Sequence, residues 1–466
     1  MSRCMHRWRG VIAFVALLVL PGIVAAKDRA FLLKNAELVV TMDPTLGSGP
    51  LGLVPGADVL FDDTGIRAVG RGLSPRTPAG VAKTIDVSGK IVMPGFVDTH
   101  THLWQSAIRG CLLDLELPGW LSCNGYARTQ NVTYDEAYTL VRLSTLDAIN
   151  SGVTTVTDWS HAFTNEFVEG NVDALVDSGM RFVYAYSVPV ARYDHFRSLK
   201  ARKIDPNPLA SIHVAAGARL AAVSTLAQAV GLAKETHTYI NTHFREHVSD
   251  LDQGQLEALQ QSGALTEVSL LLAHAVHLSD GDIATLARPN VHLSHQPLSN
   301  MRLASGVIRF PALAAAGVSV GMGLDGGTND TSDMFMNMRA AVGLQRATTL
   351  SAAAYPTPAA AVRVATLGGA TALGMQSRIG SVTPGKEADL LVLDPHTINW
   401  GPSWDWIAQI VYSAAPANVE WVFVGGKALK ARGELVYPRS MKKLVANAEA
   451  IAARLKMGIT GTAKPY

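Results

Sequence analysis

A (β/α)8 barrel joined to a small β-sandwich domain, the latter made from both ends of the chain, is the fold class that the sequence predicts. Three observations point to it. Eight short runs of apolar or β-branched residues recur between Ile91 and Leu324, each of a length that suits a buried parallel strand. Between most of them lies a stretch with helical spacing, which is the alternation that closes a parallel barrel. At both ends of the chain, strand-like runs instead follow one another with only turn residues between them.

The chain has 466 residues, enough for one large core and a smaller unit. Its content of 48% hydrophobic and 17% charged residues is globular. Residues 1–26 read as an export signal. Arg3, Arg7 and Arg9 form a basic start, Val11–Val19 an apolar run, and Pro21 to Ala26 a small-residue cleavage site. An uncleaved anchor is the alternative, but the run is short for a spanning helix. The mature chain is therefore expected in the periplasm or secreted, with no stable membrane association. Removing the three arginines takes the net charge from +2 to −1. A nearly neutral chain gives no electrostatic ground for binding nucleic acid. Three cysteines are too few for a disulfide scaffold. Cys4 goes with the signal. Cys111 and Cys123 either bridge and pin their loop or stay as free thiols, since sequence does not give their Cα separation.

Residues 27–90 form the first part of the sandwich. Ala30 to Met42, Val59–Phe61 and Ile66–Val69 read as strands, and Thr84-Ile85-Asp86-Val87 leads through a turn into the barrel. The barrel spans residues 91–378. Its eight runs are Ile91–Asp98, Val153–Asp158, Arg181–Val188, Ser211–Ala215, Tyr239–His243, Ser269–His274, Asn290–Ser294 and Val318–Leu324. The clearest helix runs from Thr133 to Asn150. Thr133 and Glu136 have capping-box spacing, and Ser151-Gly152 closes it. Ala361 to Leu373 reads as a further helix. Strands resume over residues 379–435, including Val419–Val424, and residues 436–466 hold a terminal helix at Met441–Lys456.

The chemistry sits at the ends of the runs. The first runs on into His100 and His102, which strand periodicity puts on one side, at the barrel end where active sites form. His243 ends the fifth run, His274 the sixth, and Asp325 follows the eighth. Three histidines and one aspartate suit one divalent metal ion, Zn2+ or Fe2+. Alone, His243 would read as a core or surface histidine and Asp325 as a turn residue before Gly326-Gly327. Their shared place at the same end of the strands argues for ligands. A metal brings the pKa of its bound water to about 7, yet a proton must still be moved. Glu246, three residues after His243, is placed to move it, and His274 to hydrogen-bond the attacking oxygen or the substrate. Gln105 can read a donor and acceptor pair on a heterocycle. Trp104, Trp120 and Trp159 can stack on a planar ring or simply pack. His161, His277 and His295 also follow strands and are weaker candidates for the pocket.

Several motifs act together: Pro94-Gly95-Phe96-Val97-Asp98-Thr99-His100-Thr101-His102, His243 to Glu246, Ala273-His274, Ser299 to Gly306, Leu324-Asp325-Gly326 and Ile379 to Leu390. With them the chain resembles the amidohydrolase superfamily, in particular the group of atrazine chlorohydrolase and the aromatic-base deaminases. The likeness covers nearly the whole mature chain. It implies a mononuclear site held by His100, His102, His243 and Asp325. It also implies Glu246 as proton shuttle, His274 orienting the hydroxide, and Asp325 accepting its proton. Gln105 stands where guanine deaminase and triazine hydrolases carry a glutamine. Two-metal members use a bridging lysine, usually on the fourth strand. Ser211 to Gly217 has none, the nearest being Lys200, Lys203 and Lys234. The implied activity is hydrolysis at an sp2 carbon of a nitrogen heterocycle, first of all deamination by a metal-bound hydroxide. The alternative is cleavage of amide, urea or carbon–halide bonds of an exported small molecule. Members are often homo-oligomers.

Overall fold

The computed structural model describes residues 30–456 apart from 78–79, 113, 124, 126–130, 328–330 and 438. The export segment expected at 1–26 and the last residues of the terminal unit lie outside the described residues.

Eight parallel strands close into a barrel in chain order. They are Phe96–Thr101, Val153–Ser160, Arg181–Ser187, Ala210–Ala215, Ile240–Phe244, Leu270–His274, Val291–His295 and Ser319–Met322. Every expected run contributes a strand, with one correction. The run Ile91–Asp98 is two strands. Ile91–Pro94 pairs with Phe31–Val40 and Leu390–Leu393 in the small sheet, and the barrel begins only at Phe96. The break falls at Gly95, where a Cβ would overlap the Thr154 side chain of the second barrel strand. Only glycine lets the chain pass that closely.

The first and eighth strands share a single register pair, Asp98 with Met322. The buried Asp98 carboxylate completes this seam. Its Oδ1 accepts from the amides of His100 at 3.1 Å and Leu324 at 2.9 Å. Burial pushes its pKa well above the usual carboxylate range. The backbone continues the join, with Asp325 N donating to His100 O at 2.8 Å and His102 N to Asp325 O at 3.1 Å.

Strands from both ends of the chain form one nine-stranded sheet among the described residues. Val419–Val424 lies three places from Phe31–Val40, beyond Leu390–Leu393 and Ile91–Pro94. In a flat sheet that separation is roughly 14 Å. The rings of Phe423 and Phe31 are nonetheless 5.3 Å apart, and those of Phe423 and Phe61 4.9 Å. The sheet therefore curls so that strands from the two ends of the chain face each other over an apolar core, as the two layers of the expected sandwich do. Arg181, at the foot of the third barrel strand, joins it to the barrel. Its guanidinium donates to Asp389 at 2.8 and 3.0 Å and to Glu387 at 2.6 Å.

The helix Tyr134–Asn150 starts with the expected capping box: Glu136 N donates to Thr133 Oγ1 at 3.3 Å, and Thr133 N to Glu136 Oε2 at 3.0 Å. The terminal helix Met441–Lys456 docks on it through Arg454, whose guanidinium grips the Glu136 carboxylate with two 2.7 Å bonds. Cys111 and Cys123 are joined by a disulfide, with Cα atoms 6.4 Å apart. No helix among the described residues is long and apolar enough to cross a membrane.

Candidate active site

Parallel strands deliver their last side chains to one end of the barrel, and the six principal candidates meet there. His100 and His274 are wholly buried and His102, Glu246 and Asp325 nearly so, while His243 is half-buried. His102 Nε2 lies 3.3 Å from His243 Nε2 and 3.3 Å from Asp325 Oδ1. His100 Nε2 lies 3.8 Å from Asp325 Oδ1. One ligand atom from each of His100, His102 and His243 falls within 4.8 Å of the others, as does one from each of His100, His274 and Asp325.

A cation fits this cluster. His102 Nδ1 lies 2.6 Å from the carbonyl of Trp159. A carbonyl only accepts, so the proton sits on Nδ1, and Nε2 turns a lone pair into the cluster. Both ring nitrogens of His100 are buried without a hydrogen-bond partner among the described residues. Such an orphan costs free energy unless something unseen binds it. Burial, with the neighbouring imidazoles, holds His100 and His243 well below the usual histidine range. Burial also lowers His102, against the pull of Asp325. Neutral imidazoles around a carboxylate oxygen are the donor set of a closely held zinc-type ion.

The turns that carry these groups are strained. Asp325 has φ 62° and His274 φ 74°, left-handed values that non-glycine residues seldom adopt. Side chains hold both in place. Ser299 Oγ donates to Asp325 Oδ2 at 2.5 Å. Gln296 Oε1 accepts from His274 N at 2.8 Å, and Asn300 Nδ2 meets His274 Nδ1 at 3.0 Å. All three come from the turn and short helix Pro297–Arg302 after the seventh strand. The Ser299-Asn300 pair stood inside one of the sequence motifs, but nothing in its spacing told which groups it would touch.

Glu246 and His274 face each other, with Oε2 to Nε2 at 3.4 Å. Burial, then the charges of Asp325 and Asp250, push Glu246 well above the usual carboxylate range. Burial lowers His274 to about 4. A carboxyl whose pKa is raised, beside an imidazole whose pKa is lowered, is suited to taking up a proton and giving it back.

A cavity of about 290 Å³ opens here, its walls including His102, His243, Glu246, His274 and Asp325. Gln105, Trp120, Trp159 and His161 also line it. Gln105 does more than face the substrate space. Its Oε1 accepts from Gly327 N at 2.8 Å and so holds the turn after Asp325. A Cβ on Gly326 would overlap that oxygen, which accounts for the glycine. Trp104 takes the packing role rather than that of a substrate contact: it is fully buried, packs on Phe163 and Phe167, and is not among the cavity walls. Its indole donates to His161 Nδ1 at 2.9 Å and steadies that wall instead. It lies in the short 3-10 helix Leu103–Ile108 that follows the strand, on the side turned inward, away from the ring space. His277 and His295 are not among the walls either. A second cavity of about 630 Å³ adjoins the first and shares Leu121, Trp159, His161 and Arg219 with it.

The family model for the amidohydrolase family matches residues 91–429, most of the chain. The chain belongs to the amidohydrolase family. This amidohydrolase is 33% identical over 370 residues to a 5'-deoxyadenosine deaminase of Methanobrevibacter smithii, covering 75% of this chain and 83% of that protein. It is 31% identical over 452 residues to a 5-methylthioadenosine/S-adenosylhomocysteine deaminase of Pelotomaculum thermopropionicum, covering 91% of this chain and 99% of that protein. An adenosine deaminase from Xanthomonas campestris, solved with bound zinc, superposes with a TM-score of 0.81 at 26% identity, covering 92% of this chain and 98% of that one. The amidohydrolase described here is a hydrolase of carbon–nitrogen bonds other than peptide bonds.

Proposed function

We propose that the protein is a metal-dependent deaminase of a 6-aminopurine carried on a nucleoside-like substrate. The observation that carries this reading is the convergence of His100, His102, His243 and Asp325, with Glu246 and His274 above them. The deaminases named among the relatives support the substrate class. The second cavity beside the first offers room for the part of the substrate that does not react.

His100, His102, His243 and Asp325 would hold one divalent ion, zinc or iron(II), which supplies the Lewis acidity that makes water nucleophilic at neutral pH. Glu246 takes the proton from the attacking water as the new carbon–oxygen bond forms. It then gives that proton to the amino nitrogen as the carbon–nitrogen bond breaks and ammonia leaves, and the remaining hydroxyl proton moves to the adjacent ring nitrogen, so that a carbonyl remains. His274, held by Asn300 and Gln296, lies 3.4 Å from the Glu246 carboxyl and orients the attacking oxygen. The half-exposed wall of Trp159 and His161 flanks the ring.

The test is ammonia release from aminopurine nucleosides by the metal-loaded protein. Glu246→Gln should lower kcat by about 10²–10⁴ with the metal content unchanged. Full activity in that variant would remove Glu246 from the mechanism. Release from none of these compounds would remove the substrate class. We further propose that the enzyme works outside the cytoplasm. The basic and apolar start of the chain supports this, as does a disulfide that suits an oxidising compartment. Protein recovered from its native compartment should begin at Lys27, and an intact Met1 start would contradict export with cleavage.

A further inference from the structure

Glu246 lies on no regular element. The fifth barrel strand ends at Phe244, Arg245 turns left-handed with φ 47°, and the helical turn Val248–Gln253 begins only after His247. Past a strand end the backbone amides lose their ladder partners and need others. Here side chains take the next three. Arg245 N donates to Gln255 Oε1 at 2.6 Å. Glu246 N and His247 N both donate to Asp250 Oδ2, at 2.9 and 3.1 Å. The other Asp250 oxygen, Oδ1, accepts from Gln253 Nε2 at 2.9 Å, which fixes the plane of the carboxylate. Asp250, Gln253 and Gln255 all line the cavity above the metal cluster.

Part of this is ordinary capping. His247 opens the turn Val248–Gln253, and the side chain of its third residue, Asp250, reaches back to the His247 amide. A cap accounts for that bond and not for the one to Glu246 N, which lies one residue further back, on the group that moves the proton. A carboxylate acceptor makes such a bond about twice as strong as a neutral one. We propose that Asp250 is a positioning residue for the proton shuttle: by holding the Glu246 amide it keeps the Glu246 carboxyl opposite His274 Nε2, 3.4 Å away. This role rests on the deaminase reading above. Both Asp250 oxygens already accept bonds from the protein, so it acts through Glu246. A misplacement of about 1 Å is enough to cost about 10² in rate. The expected metal ligands and the ring walls stay where they are, so the loss falls on kcat.

The experiment is a double-mutant cycle on the metal-loaded full-length enzyme with an aminopurine nucleoside. Asp250→Ala should lower kcat by about 10², with KM and metal content near the parent values. Asp250→Asn keeps an oxygen for the Glu246 amide, and Gln253 can turn its own amide to meet the NH2 group, so most of the rate should return. In the Glu246→Gln background Asp250→Ala should cost little more, because the group it positions no longer shuttles a proton. Gln253→Ala, which lets the carboxylate turn, should show a milder loss with the same split, and it carries the cycle should Asp250→Ala not fold. Amide hydrogen exchange over residues 245–248 needs no substrate. It should speed up in Asp250→Ala and stay near the parent rate in Asp250→Asn. An equal loss in both backgrounds would overturn the proposal, since a weakened fold costs the same with or without the shuttle. So would a parent-like kcat in Asp250→Ala, or exchange that this variant leaves unchanged. If no nucleoside is turned over, the deaminase reading fails, while the exchange arm still judges whether Asp250 holds the Glu246 amide.

Discussion

At the scale of single residues, the ligand set was legible because each member ends a strand. A parallel barrel gathers strand ends, so His100, His102, His243 and Asp325 needed no distance information to be grouped. Ser299 and Asn300 were a different matter. Their partners, Asp325 and His274, come from strands on either side of them, and only packing in space decides such pairings. The same holds for Trp104, whose ring turned to Phe163 and Phe167 rather than to the cavity. Ser299→Ala tests the importance of the Asp325 contact. A hydrogen bond to a charged group contributes about 1.5–3 kcal/mol, so kcat should fall about tenfold or more. Ser299→Thr, which keeps the hydroxyl, should recover most of it. A variant with unchanged kcat would show that the turn at Asp325 holds itself.

At the scale of elements, the strand and helix pattern was legible and the joints between units were not. Hydrophobic periodicity runs unbroken from Ile91 to Val97, yet the chain changes sheets at Gly95 because the Thr154 side chain leaves no room for a Cβ. The curl of the small sheet was equally hidden, since it depends on which strands pair across the two ends of the chain. Arg181 shows how the units are joined. It is 1% exposed and pairs with Asp389, which is 2% exposed. Removing one partner of a buried pair leaves the other charge without compensation. Arg181→Leu should therefore destabilise the protein by about 3–5 kcal/mol, read as a lower urea midpoint. A midpoint within error of the parent would mean that Asp389 finds another partner.

At the scale of the whole molecule, acid and metal removal both act on buried histidines. His213, on the fourth strand, stacks on Tyr239 at 4.7 Å, and burial lowers its pKa to about 3. In the unfolded chain the value is about 6.5. Between these values the unfolded chain holds a proton that the folded chain does not. Its contribution to stability is therefore full above pH ~6.5 and is lost as pH falls toward the folded value, by about 1.4 kcal/mol per pH unit. His213→Phe keeps the ring and removes the titration. The stability of the parent relative to this variant should fall on acidification from pH 7 to pH 5, and a constant difference would show that His213 titrates normally. The central claim is that one divalent ion sits among His100, His102, His243 and Asp325. Elemental analysis of the purified protein tests it most directly. About one equivalent of zinc or iron per chain is expected, lost when His102 and His243 are replaced together by alanine. A fully active protein without bound metal, or one that keeps its full equivalent in that double variant, would contradict it.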